Sequence, residues 1–136
     1  KLHPGFDASR ITSAVDMGIR GIIIEAYGVG NLPTIYEPIS RAIIHANRKN
    51  VPIVITSQCD LGTYWSYIYK AEIGNRFSGL KLIPVYDMTT EAAFAKLMWV
   101  LGQTGEWGKV KKMMQKDYAG EISEEKIRHS KKAKVE

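Results

Sequence analysis

Apolar residues follow two rhythms along this chain. Two short runs are apolar at nearly every position: Gly21-Ile-Ile-Ile-Glu25 and Val51-Pro-Ile-Val-Ile55. They are rich in β-branched residues and do not alternate, as expected of parallel strands covered on both faces. A third run, Leu82-Ile-Pro-Val85, is shorter and contains Pro84, which fits a strand end or a sheet edge. Lys1-Leu2 fits the last residues of a further strand.

Between these runs the apolar residues return every three or four positions. Asp7 or Ser9 can cap a helix to about Met17, with Ile11, Ala14 and Val15 on one face and Gly18 at its stop. Pro38 suits a first turn, and Ile39, Ala42, Ile43 and Ala46 continue that helix to about Asn50. Tyr67–Phe77 carries a weaker helical pattern. Thr89 opens the clearest helix, in which Ala92, Ala93, Leu97, Val100 and Leu101 run to Gly102 and Glu91 complements the dipole. Trp107, Val110, Met113 and Met114 mark a last helix. The alternation predicts an α/β fold: three layers, a mainly parallel sheet of about four strands, and helices on both faces in a Rossmann-like arrangement. The domain is expected to span residues 1–122, with 123–136 as a basic polar tail.

Composition agrees with a single globular unit. The chain has 136 residues, 45% hydrophobic and 24% charged, which excludes wholesale disorder, collagen-like and coiled-coil classes. No apolar run approaches the roughly 20 residues a membrane span needs, so no membrane partner is expected. No signal-peptide pattern opens the chain, and the single cysteine, Cys59, cannot close an internal disulfide. A reducing, cytoplasmic setting follows as the expectation. The chain opens on Lys1 rather than Met, which reads as a fragment or a processed product.

The net charge is +5, and the surplus collects late, with nine Lys/Arg against six Asp/Glu from Gly105 to Glu136. The final stretch offers only Ile127, Ala133 and Val135 for burial, so a solvated terminus is expected there. A nucleic-acid partner is not expected, because that usually takes a concentrated patch with aromatic or Arg readout groups.

In open α/β sheets, ligands sit at the carboxyl ends of the strands. Here Tyr27-Gly-Val-Gly-Asn-Leu-Pro33 and Thr56-Ser-Gln-Cys-Asp60 would line that edge. Gly28-Val-Gly30 falls short of a dinucleotide fingerprint, since the third glycine is replaced by Pro33 and helix onset waits until about Tyr36. The two glycines are expected to supply positive φ in a sharp turn. Asn31 suits either a turn or a small polar ligand. Cys59 is expected to be a buried structural thiol. His3, His45 and His129 are scattered, which leaves no Cys–His pair and no metal-ligand spacing. Asp87 and Glu91 read as cap and dipole partners of the helix after them. The residues alone give a ligand-edge α/β domain with no catalytic set of its own, no metal and no cofactor.

Three blocks carry a resemblance. They are Ile22-Ile-Ile-Glu-Ala-Tyr-Gly-Val-Gly-Asn-Leu-Pro33, Val54-Ile-Thr-Ser-Gln-Cys59, and Asp87-Met-Thr-Thr-Glu-Ala-Ala93, which continues into Lys96-Leu-Met-Trp99 and Leu101-Gly102. Over residues 1–122 the chain resembles the C-terminal domain of type I, cytosolic L-asparaginases. His3-Pro-Gly5 looks like that family's exit from the preceding strand. The resemblance implies a two-domain enzyme that hydrolyses L-asparagine to L-aspartate and ammonia. Its nucleophilic threonine and the supporting Thr-Lys-Asp set would lie in an N-terminal domain outside this sequence. No catalytic residue is therefore assigned here, and the chain alone is expected to be inactive. The implied partners are L-asparagine, the enzyme's own N-terminal domain and further copies in a dimer or tetramer.

The resemblance also implies a ligand site at Glu25, Gly30, Asn31, Gln58 and Cys59, either active or allosteric. In the periplasmic class an Asn at the place of Asn31 reaches an active site across the dimer interface. In some bacterial type I enzymes the same loops build an allosteric asparagine pocket, and Asn31 and Cys59 match positions in it. Glu25 departs from that pattern: it replaces an arginine that grips the ligand carboxylate, and a carboxylate there repels one. Related sequences carry a tyrosine where this one has Ala71. The aromatic stretch Gly62–Tyr69 is longer here, which places Tyr69 as a substitute or as part of a repacked interface. The competing readings are an amidotransferase subunit that brings ammonia to a charged tRNA, and a plain asparagine sensor. The Gly-Asn-Leu-Pro and Asp-Met-Thr blocks resemble the asparaginase branch more than the amidotransferase branch.

Overall fold

The computed structural model describes residues 1–28, 30–33, 37–59 and 80–123. The third helical pattern (Tyr67–Phe77), the aromatic stretch with Tyr69 and Ala71, and the tail beyond 123 lie outside the described residues. In chain order the elements are α1 (Ser9–Asp16), β1 (Ile22–Ala26), α2 (Glu37–Arg48), β2 (Ile53–Ser57), β3 (Leu82–Pro84), α3 (Thr90–Gln103) and α4 (Trp107–Met114). The described strands form one sheet in the order β1-β2-β3, parallel throughout, with Ile22 opposite Ile53 and Ile55 opposite Pro84. Pro84 sits on the outer strand, where its missing NH costs no ladder bond, and its carbonyl accepts from Gln115 Nε2 at 3.0 Å.

Successive strand residues point to opposite faces, and two cores result. Ile24, Ala26, Ile53 and Ile55 pack with Ile11, Val15, Ile39 and Ile43, so α1 and α2 cover one face. Val54 and Ile83 pack with Leu97, Val100, Val110 and Met114, so α3 and α4 cover the other. Ile53, Val54 and Ile55 are completely buried, which explains why β2 reads as an unbroken apolar run. This is the three-layer α/β architecture the sequence implied. Among the described residues no helix is long and apolar enough to cross a membrane.

Local chemistry sets the element ends. Asp7 accepts from Ser9 N (2.9 Å) and Ser9 Oγ (2.8 Å) at the start of α1, and these bonds hold its carboxyl below the usual range. Gly18 ends that helix at φ +88°. Thr89 Oγ1 accepts from Ala92 N at 3.2 Å and caps α3, whose first turn carries Glu91. Asp87, expected to share in capping, does not: its Oδ1 accepts from Ser123 N at 3.2 Å, 36 residues away in the chain.

That bond belongs to a segment of unexpected importance. Ile122 is buried in the second core. Lys96 of α3 is also buried, and its Nζ donates to Lys116 O at 2.6 Å and to Glu121 Oε1. Burial pushes the Glu121 carboxyl up. The Lys96 ammonium and the Ala119 NH outweigh burial and bring it down to about 2.

Candidate functional site

Parallel strands end on the same side, so β1, β2 and β3 deliver their following loops to one edge. After β1 the chain doubles back at once. Tyr27 N donates to Asn31 O at 2.9 Å and Asn31 N to Tyr27 O at 2.8 Å, closing a tight antiparallel bridge. Gly28 at φ +47° and Gly30 at φ +102° make the reversal possible, and Gly30 is buried in it. The expectation of positive φ at these two glycines holds.

The loop after β2 clasps this turn. Ser57 Oγ donates to Gly28 O and accepts from Cys59 N at 3.0 Å. Gln58 N donates to Ala26 O at 3.0 Å, and its side-chain amide donates to Leu2 O (2.7 Å) and Glu25 O (3.0 Å). The structure therefore brings Gly30, Asn31, Gln58 and Cys59 onto two joined loops at one edge, with Glu25 at the end of β1 beside them. They do not occupy equal positions. Gln58 spends its amide on backbone carbonyls, so it ties the loops and the chain start together. Cys59 is exposed. This corrects the expectation of a buried structural thiol: β2 is buried through Thr56, and the chain leaves the core two residues before the cysteine. Glu25 keeps a quarter of its side chain exposed, with the main-chain nitrogen of Lys1 3.9 Å from its Oε2.

Three contributors were not singled out from sequence. Ser57 is one, and its spacing one residue after a buried β-branched run is a signal for a strand-end hydroxyl. Thr56 and Thr90 are the others, bonded through their hydroxyls at 2.9 Å and linking β2 to the first turn of α3. Tyr86, after β3, sits at φ +60°, an uncommon backbone state for a bulky residue.

Chemically, the edge offers hydroxyls, an amide, a thiol and the carboxylates Glu25, Asp87 and Glu91. Among the described residues, Thr56 and Thr90 bond to each other and Ser57 to backbone, with no histidine or lysine bonded to them. No cluster of His, Cys, Asp or Glu that could hold a metal ion occurs among the described residues. Among the described residues, the edge presents polar groups of a kind suited to a small polar ligand.

Comparison with known proteins gives this geometry relatives. The family model described as the Glutaminase/Asparaginase C-terminal domain matches residues 1–114. The chain is similar to a glutamyl-tRNA(Gln) amidotransferase subunit from Pyrococcus furiosus: 40% identical over 123 residues, which are 90% of this chain and 27% of that protein. It is likewise similar to the corresponding amidotransferase subunit from Methanobrevibacter smithii, 38% identical over 125 residues, 91% of this chain and 27% of that protein. Among solved structures, L-asparaginase I from Vibrio cholerae superposes with a TM-score of 0.77 at 29% identity, and the thermostable L-asparaginase from Thermococcus kodakarensis with 0.75 at 34%. Each of these two covers 90% of this chain and is itself covered to 36%. The chain thus spans about a quarter of the length of the curated relatives it matches.

Proposed function

We propose, on the premise that this chain belongs to the glutaminase/asparaginase C-terminal domain family, that it is the ligand-edge part of an amidohydrolase. In this reading the whole protein hydrolyses L-asparagine to L-aspartate and ammonia. The observation that carries it is the joining of the Tyr27–Asn31 turn and the Ser57–Cys59 loop at the carboxyl ends of β1 and β2. Acyl transfer needs a nucleophile, its base and an oxyanion site held together. The resemblance implies that the nucleophilic threonine lies in another domain, and this edge would supply contacts to the ligand. The chain alone is then inactive.

Asn31 and the turn at Gly30 contact the amino-acid ligand, with Cys59 beside them, and Gln58 keeps the two loops in register. Glu25 repels the ligand carboxylate and suits its ammonium instead. The site serves as part of an active site or as an allosteric one, in a cytoplasmic dimer or tetramer that needs no cofactor.

A second reading draws on the relatives that are 38–40% identical and are named as glutamyl-tRNA(Gln) amidotransferase subunits. Here the ammonia released from the amide passes to a tRNA-linked acyl group on a partner protein. The test is ammonia release by the full-length polypeptide from free L-asparagine and L-glutamine, with and without glutamyl-tRNA(Gln) and ATP. Steady release from asparagine alone supports the hydrolase; release that depends on tRNA and ATP supports the amidotransferase. Asn31→Ala in the same polypeptide is expected to weaken asparagine binding about tenfold, the loss of one or two hydrogen bonds, with an unchanged melting temperature. Unaltered binding and kinetics remove Asn31 from the site.

A further inference from the structure

The loop after β3 lies at the carboxyl edge of the sheet, yet its supports come from 31 to 36 residues further along the chain. Met88 N donates to Val85 O at 3.1 Å and closes the loop on itself, with Tyr86 inside it at φ +60°. A bulky residue keeps that backbone state only where its surroundings impose it. The segment from Gln115 to Ser123 supplies such surroundings. Gln115 Nε2 donates to Pro84 O at 3.0 Å, just before the loop. Ile122 is buried in one core with Val85 and Met88. Ser123 N donates to Asp87 Oδ1 at 3.2 Å. The segment is itself held: Asp117 Oδ1 accepts from Gly120 N and Glu121 N at 2.9 and 3.0 Å, and the Glu121 carboxylate binds the buried Lys96 ammonium.

From the loop, contacts continue along the edge. Thr89, next after Met88, caps α3 through Ala92 N. The Thr90 hydroxyl meets the Thr56 hydroxyl at 2.9 Å at the end of β2. Ser57, the next residue, donates to Gly28 O and accepts from Cys59 N. Hydrogen bonds and chain neighbours therefore run without a gap from Ser123 to the turn that carries Asn31.

We propose that Asp87 is a positioning residue of the ligand edge. Its bond from Ser123 moors the loop after β3 to the Gln115–Ser123 segment. Through Thr90 and Thr56, the moored loop sets the placement of Ser57, Gln58 and the Gly28–Asn31 turn. Asp87 acts as a hydrogen-bond acceptor rather than as a charge, because its partner is a neutral main-chain NH that an amide oxygen serves as well. The effect on asparagine rests on the function proposed above: a loosened edge binds the ligand less tightly and leaves turnover alone.

The test compares the full-length polypeptide with three variants by site-resolved amide hydrogen exchange. The probes are the Met88 amide, bonded to Val85 O, and the Gln58 amide, bonded to Ala26 O, with Val54 of the central strand as reference. In Asp87→Ala both probes are expected to exchange at least about fivefold faster, with Val54 within about twofold of wild type. In Asp87→Asn, which keeps the acceptor and removes the charge, both stay within about twofold of wild type. Thr90→Val, which cuts the link to β2, speeds Gln58 and leaves Met88 unchanged. The KM for asparagine rises about fivefold in Asp87→Ala with kcat within about twofold, and Asp87→Asn restores it. A Gln58 amide that ignores Asp87→Ala, a Val54 amide that accelerates with it, or an Asp87→Asn variant that behaves like Asp87→Ala overturns the proposal. A wild type that turns over no asparagine defeats the proposed function instead, and the exchange rates then decide the role of Asp87 by themselves.

Discussion

Replacing Lys96 with methionine is expected to destabilise the fold by about 3 kcal/mol at pH 7. The Lys96 and Glu121 side chains are 6% and 14% exposed, and Nζ also donates to Lys116 O at 2.6 Å. Methionine keeps the length and apolar stem but leaves the Glu121 carboxylate without its cation. Removing one partner of a buried ion pair costs about 3–5 kcal/mol. The Glu121 bonds from Tyr118 N and Ala119 N remain, which puts the figure at the lower end. The lowering of the Glu121 carboxyl to about 2, to which Lys96 contributes with the Ala119 NH, has the same sign. Because that value is depressed in the fold, the stabilisation is complete above about pH 4.5 and is lost as pH falls toward 2. Urea unfolding followed by fluorescence of Trp99 and Trp107 should therefore show the gap between wild type and Lys96→Met narrowing from about 3 to under about 1 kcal/mol between pH 7 and pH 2. Adding Glu121→Leu to the variant should restore part of the loss, since no charge is then stranded. A gap below about 1 kcal/mol at pH 7, or one that ignores pH, refutes the reasoning. The result bears on the candidate site, because the pinned segment holds the loop after β3 through Ser123 and Asp87.

Gly30→Ala is expected to cost about 1–3 kcal/mol, because its φ of +102° suits glycine alone, whereas Gly28→Ala, at φ +47° with open space around it, should cost about 1 kcal/mol or less; thermal melts of the two variants check the contrast. Gly21→Ala places a Cβ 2.8 Å from Leu101 Cδ1 and 3.2 Å from Leu97 Cδ2, so the ends of two flexible side chains must shift, and a loss of about 1 kcal/mol in urea unfolding is expected. Ile55→Ala, at a completely buried position of the central strand, should cost about 2–5 kcal/mol in the same assay, and a value under about 1 kcal/mol would mean that the core collapses around the gap.

The elements and their layering were legible in the residues alone. The β-branched runs at Ile22–Ile24 and Ile53–Ile55 are apolar at every position because both faces of the sheet are covered, and that pattern needs no knowledge of partners. Ile39, Ala42, Ile43 and Ala46 recur at helical spacing, and all four are buried on α2. Local punctuation was equally legible: Gly18 stops α1, Thr89 caps α3, and Gly28 and Gly30 take the positive φ their loop demands. Those features depend on residues within a few positions of each other, so spacing reveals them.

Which polar groups leave solvent, and what they meet, emerged only from the packed fold. Lys96 reads as one more charge on a helix, yet it is buried because a segment 20–25 residues further on folds over it and supplies a carbonyl and a carboxylate. Asp87 stands two residues before a helix cap and binds Ser123 instead. Gln58 lies in the expected ligand loop but ties together backbone from three parts of the chain, while Cys59 beside it faces solvent. A polar side chain's role is set by the donor or acceptor that distant chain brings within about 3 Å, and that pairing is written in the packing of the layers rather than in any local pattern of residues.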